Sequence, residues 1–164
     1  MTASDDARAR VAILMGSAND WDKMKPAADA LATLGVACDV RVISAHRTPQ
    51  RHHDFVTTAE ERGIEVFICG AGMAAHLAGV TAALTHLPVL GVPLDGSALN
   101  GMDALLSTVQ MPGGIPVATF AVGKAGAKNA GIFAGQILAG RDADVRRKLD
   151  AFRAKQTAEV PERP

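Results

Sequence analysis

Ser44, His46 and Arg47 place a hydroxyl, an imidazole and a guanidinium within four consecutive positions of a 164-residue chain. A guanidinium forks onto phosphate oxygens, a hydroxyl donates beside it, and an imidazole carries a proton near neutral pH. The trio therefore suits an anionic ligand and a proton transfer. A loop histidine next to a surface arginine would look the same in isolation, so two further stretches matter. Ser17 and Asn19 can bond a phosphate alongside orphan helix amides, and the carboxylate of Asp20 accepts well from two ribose hydroxyls; a plain helix cap explains the same three residues. Gly70-Ala71-Gly72 is poor in side chains, which lets backbone amides approach a flat ligand. His76, just beyond it, can hold a ligand, orient the catalytic group, or make a structural hydrogen bond where a helix starts.

These groups need elements to position them. Val36–Ile43, with Val36, Val40 and Val42 at even steps, predicts a half-buried strand ending at Ser44. Thr48 can then cap a helix whose first position Pro49 takes without losing a bond. Arg10–Met15 predicts a buried parallel strand that turns at Gly16–Asp20. The helix after it has Met24, Ala27, Ala28, Leu31 and Leu34 on one face and stops at Gly35. Further on, the pattern predicts a helix through Phe55, Val56 and Ala59 closing at Gly63, a third strand Ile64–Cys69 opening into the turn Gly70–His76, and a small-faced helix from His76 to His86. A fourth strand Pro88–Pro93, a polar loop Asp95–Gly101, a helix through Leu105, Leu106 and Val109, and a turn at Gln110–Gly114 follow. A fifth strand Ile115–Val122, an Ala/Gly-rich helix Ala125–Leu138 and a charged helix Asp142–Gln156 complete the chain.

Strand and helix alternate five times, which gives an α/β three-layer sandwich: a doubly wound, five-stranded parallel sheet of flavodoxin-like type plus a C-terminal helix. Right-handed crossovers put every strand's carboxyl end on one edge, so the three stretches converge on one crevice. One domain over residues 10–157 is expected, with residues 1–9 and 158–164 flexible.

Composition narrows the function. Seventeen acidic and 17 basic residues cancel, so no net field points to nucleic acid or an anionic membrane. No apolar run reaches membrane-spanning length, and Met1–Asp6 is polar rather than a signal peptide. Cys38 and Cys69 fall within strand-like runs and are expected as buried free thiols, which implies a cytoplasmic protein. Gly70–Ala75 fits a loose dinucleotide fingerprint, but it follows the third strand and lacks an acidic residue about 20 positions on, which argues against a nicotinamide cofactor. Cys69-Gly70 supplies no aspartate for a phospho-receiver, and few aromatic rings are available for a flavin. No metal is expected: His52 and His53 are adjacent on a helix and, like His86, read as ordinary surface or helix-end residues.

Five motifs in order, Met15-Gly16-Ser17-x-x-Asp20-Trp21, Ser44–Pro49, Gly70-Ala71-Gly72-x-Ala74-Ala75-His76-Leu77, Pro88–Pro93 and Ser107-x-Val109-Gln110-Met111-Pro112-x-Gly114-Ile115-Pro116-Val117, resemble the PurE family. Its members are the N5-carboxyaminoimidazole ribonucleotide mutases and related aminoimidazole ribonucleotide carboxylases of purine biosynthesis. The resemblance runs from about Val11 to Gln156.

That resemblance implies a small-molecule ribonucleotide substrate, no cofactor, and an octamer with sites at subunit interfaces. The 5-phosphate would lie on Ser17, Asn19, Ser44 and Arg47, and the ribose on Asp20. The aminoimidazole would rest against Ala71, Gly72, Ala74, Ala75 and Leu77, with His46 as acid/base and His76 as a second catalytic candidate. The helix Ala125–Leu138 and the turn Gln110–Pro112 would build subunit contacts. The sequence departs from the family pattern at Asn19 (usually Ser), Met73 (usually Gly), Ala78 (usually Pro) and Leu94–Ser97. Two alternatives to a mutase stand beside it: a carboxylase that uses free carbon dioxide, and a ribonucleotide-binding paralogue without this activity.

Overall fold

The computed structural model describes residues 8–163. The acidic start of the chain, residues 1–7 of the segment expected to be flexible, and Pro164 lie outside the described residues.

Five parallel strands form one sheet: β1 (Val11–Met15), β2 (Cys38–Val42), β3 (Val66–Gly72), β4 (Val89–Leu94) and β5 (Ala118–Thr119), in the order β2-β1-β3-β4-β5. Every residue of β1 and β4 is buried, as strands covered on both faces must be. The helices are α1 (Trp21–Thr33), α2 (Pro49–Thr57), α3 (Leu77–Ala82), α4 (Met102–Val109), α5 (Lys124–Ala139) and α6 (Ala143–Glu159). Val11, Ile13, Ile68, Leu90 and Val92 pack with α1 and α5 on one face, and Ala12, Leu14, Phe67, Cys69 and Val89 pack with α2 and α3 on the other. The expected flavodoxin-like sandwich is the fold observed. No helix among the described residues is long and apolar enough to cross a membrane.

α5 approaches α1 closely because its contact face is built of Ala127, Ala130, Gly131, Ala134 and Gly135. A Cβ at Gly131 would stand 2.5 Å from the Ala27 carbonyl oxygen. The small-residue face of this helix is thus spent inside the protomer. α6 is tied down at its start: Asp142 caps it by accepting from the Asp144 and Val145 amides at 3.0 and 3.1 Å, and Arg10 donates to Asp142 at 2.7 Å.

The structure corrects several local expectations. β2 is an edge strand, and Val40 and Val42 are 37% and 46% exposed rather than turned into the core. Gly70-Ala71-Gly72 is not a turn. It continues β3, paired with Val92, Pro93 and Leu94, and the chain turns only at Met73. A Cβ at Gly70 would meet Met24 Sδ of α1 at 2.3 Å, so a larger residue there would have to push that side chain aside. α3 ends at Ala82, well short of His86. β5 keeps only Ala118 and Thr119 in the ladder, since Pro116 has no N–H to offer and Gly114 sits at φ +100°. His52 is no surface residue: it is 1% exposed.

Candidate active site

The order β2-β1-β3 makes the carboxyl ends of β1 and β3 the point where the winding of the sheet reverses, and such a point opens a crevice. A cavity of about 460 Å³ lies there, lined by the loops after β1, β2, β3 and β4. Two larger hollows, about 700 and 580 Å³, lie away from it, at α1, α5 and α6 and around Leu84–Leu90.

The loop after β1 contributes Ser17, Asn19 and Asp20. Ser17 Oγ accepts from the Asn19 amide at 3.2 Å, which leaves the hydroxyl proton free. In the loop after β2, Ser44 Oγ accepts from the Arg47 amide at 3.1 Å and from Arg47 Nε at 3.4 Å. Both lone pairs of that oxygen are then used, so Ser44 too can only donate further. Arg47 also donates to the Gly16 carbonyl, which locks the two loops together. Two hydroxyl donors and a guanidinium make a cluster suited to a phosphate-like anion. The Asp20 carboxyl is pushed above its ordinary value by burial, against the opposing pull of the Ser17 amide, Lys23 and Arg47. Such a carboxylate has acceptor capacity to spare, and hydroxyl donors from a ligand would relieve its desolvation.

His46, in the loop after β2, meets His76, the residue preceding α3. His46 Nε2 and His76 Nδ1 are 2.9 Å apart, the rings edge to face at 88°. One proton must lie between the two nitrogens, so the pair can hold a proton and pass it on. The wall beside them is Ala71, Gly72, Ala74 and Leu77, with Met73 at the rim, 64% exposed and at φ 57°. Its carbonyl accepts from Ser107 Oγ of α4 at 3.3 Å.

Of the residues singled out from sequence, Ser17, Asn19, Asp20, Ser44, His46, Arg47, Ala71, Gly72, Ala74 and Leu77 line the cavity. His76 reaches it through His46. Ala75 does not line it: its side chain is buried beneath the turn, 1% exposed. Sequence reasoning missed Lys23 and Asp95, which also line the cavity and pair with each other at 2.9 Å. Asp95 follows the last residue of β4, so the rule that ligands collect at strand carboxyl ends would have found it.

Comparison with known proteins gives the family. The family described as AIR carboxylase matches residues 10–159. The N5-carboxyaminoimidazole ribonucleotide mutase of Bacillus subtilis (strain 168) is 59% identical, over 90% of this chain and 92% of that protein. The protein of the same name from Escherichia coli (strain K12) is 54% identical, over 95% and 92%. The crystal structure of Treponema denticola PurE superposes with a TM-score of 0.82 at 25% identity, covering 91% of this chain and 92% of that one. A match this long, on a fold of the same type, leaves one conclusion: the chain belongs to the AIR carboxylase family.

Proposed function

We propose that the chain catalyses the N5-carboxyaminoimidazole ribonucleotide mutase reaction of purine biosynthesis, an ATP-independent isomerisation that moves a carboxylate from the exocyclic nitrogen to ring carbon 4. The observation that carries this reading is the His46–His76 imidazole pair beside a donor cluster, in a relative of mutases at 52–59% identity.

The 5-phosphate takes the Ser17 and Ser44 hydroxyls and Arg47, with Asn19 adjacent, and the ribose hydroxyls donate to Asp20. The aminoimidazole lies against Ala71, Gly72, Ala74 and Leu77, and Ala75 supports that wall from behind. The bond between nitrogen and carboxyl carbon breaks, carbon dioxide stays in the small apolar pocket, and His46 gives a proton to the nitrogen. Ring carbon 4 then attacks the trapped gas. His46, again a base, removes the proton from that carbon, and aromaticity returns. One imidazole serves both directions because its charge changes near working pH. A wall of Gly and Ala suits so small an intermediate and keeps water from it.

The assembly proposed is a homo-octamer with sites between subunits. Met102, Leu106 and Val109 recur at helical spacing along the exposed side of α4, with Leu99 exposed just before them, and Met73 of the site adjoins α4. The compartment proposed is the cytoplasm, on the two unpaired thiols Cys38 and Cys69. Purified protein should interconvert the two carboxylated ribonucleotides without ATP, and the forward rate should not depend on added bicarbonate. His46→Asn should lower kcat by about 10²–10⁴-fold with the oligomer intact. Absence of interconversion by the unaltered protein would refute the assignment.

A further inference from the structure

Beneath the two histidines of the site lies a third, in a network that the proton chemistry does not use. His52, in the second turn of α2, places Nε2 2.8 Å from Thr81 Oγ1 of α3, and both side chains are buried. Thr81 Oγ1 is also 2.8 Å from the Leu77 carbonyl, a distance at which the hydroxyl donates, since a carbonyl can only accept. Its single proton is thereby spent, so His52 Nε2 must carry a hydrogen and donate. The remaining lone pair of Thr81 faces Cys69 Sγ of β3 at 3.5 Å, the thiol itself pushed up to about 12 by burial and so protonated. The hydroxyl is saturated, with one bond given and two received.

This bond and the His46–His76 contact are two rungs between the same pair of elements. On one side the His52 amide bonds the Thr48 carbonyl at 3.0 Å, and the Thr48 amide bonds the Ser44 carbonyl at 2.9 Å, which ties His52 to the loop that carries His46. On the other, Thr81 bonds back to Leu77, the residue after His76, and the Val80 amide bonds the His76 carbonyl at 2.9 Å. The upper rung is open to solvent and the lower one is sealed. Apolar contacts between α2 and α3 set how close the helices come but tolerate sliding, whereas a hydrogen bond in a dry interior fixes direction as well. We propose that the buried His52–Thr81 hydrogen bond is a positioning strut that sets the register of the His46–His76 pair. This inference rests on the mutase reading above for its kinetic consequence and on geometry alone for its structural one.

The test uses the full chain with Thr81→Val, Thr81→Ser and the double variant His52→Leu/Thr81→Val. Thr81→Val strands a buried donor, while the double variant replaces both partners with apolar groups and can fold with little loss of stability. For the folded variants lacking the bond, kcat should fall about tenfold with KM little changed, since a displacement well under 1 Å at a reacting pair is enough for that. The acid limb of the kcat profile should move with it, and Thr81→Ser, which keeps the hydroxyl, should restore both. Crystal structures of the unaltered protein and the double variant read the geometry without any turnover: the His46–His76 separation should open beyond hydrogen-bonding distance in the variant. A separation still at 2.9 Å in the double variant would overturn the strut, as would an unchanged kcat in a folded variant. An unaltered protein without mutase turnover would sink the functional reading, and the crystallographic comparison would still decide the strut.

Discussion

Where α5 lies along α1, Ala130, Gly131, Ala134 and Gly135 meet Ala27, Ala30 and Leu34, and the buried side chains are all apolar. Across the sheet the buried polar side chains of the described residues are His52 and Thr81, between α2 and α3, and Thr108 of α4. The first face gets its rigidity from proximity: glycines let two backbones nearly touch, and dispersion over many small contacts holds them. The second gets it from direction, through hydrogen bonds that specify rotation as well as distance. Each face serves what it carries. The α1 side presents Ser17 and Asp20, which in the proposed reaction have only to receive a ligand, and the α2/α3 side presents His46 and His76, which in it must meet each other.

The comparison breaks most visibly on the close-packed side. Gly131→Ala should destabilise the chain by about 2 kcal/mol, because the new Cβ meets the Ala27 backbone rather than a side chain that can swing away. Urea denaturation would measure the loss, and material that remains folded should keep its kcat. Gly135 offers a control. Its Cβ would meet only the Leu34 Cδ1 methyl at 2.3 Å, a flexible side chain, so Gly135→Ala should cost clearly less. Equal losses at the two positions would show that backbone proximity is not what holds this face.

A smaller effect is expected at the rim of the site. Met73 holds φ 57°, a left-handed conformation that a side chain makes unfavourable. Met73→Gly removes that strain but gives the unfolded chain more freedom, so a net gain of roughly 1 kcal/mol is the expected balance. Its side chain is largely exposed, so KM should stay near that of the unaltered protein. A loss of stability would mean that the thioether makes contacts worth more than the strain.

The sheet and its crevice were legible in the sequence because both follow from local pattern. Apolar runs such as Val11–Met15 mark buried parallel strands, and chemistry-bearing residues directly after them fall on one edge by the handedness of crossovers. What local pattern does not contain is which neighbour covers a given face. Val40 and Val42 alternate as core residues do, yet β2 lies at the edge, and nothing in alternation says whether a helix reaches that far. The pattern puts Gly70 in a turn, but in the fold it lies within β3 under the side chain of Met24, distant in sequence. The Lys23–Asp95 pair joins segments 72 residues apart and left no local trace. His52 did leave one. With Val56 and Ala59 it forms an i, i+4, i+7 stripe of buried positions, a signal hidden by the adjacent exposed His53.

The smallest expected effect concerns how the two faces respond to acid. Burial holds the His52 imidazole below its ordinary value, with the neighbouring His53 adding to the shift. Asp54, which bonds Gln50 and His53, is itself held below the usual carboxylate range and stays charged throughout the relevant window. As pH falls below the unfolded value of 6.5, the unfolded chain takes up a proton that folded His52 refuses. Stability present above that pH is therefore lost progressively, until the folded pKa is passed and both states are protonated. The lost stability belongs to the α2/α3 face alone, since the α1/α5 contact buries no titratable side chain. Urea titrations of the unaltered protein and of His52→Leu/Thr81→Val between pH 7 and the onset of carboxylate titration would isolate it, with the difference between the two narrowing in favour of the variant as acid is added. Parallel curves over that range would mean that His52 protonates without penalty, and the directional face would then be no more acid-sensitive than the close-packed one.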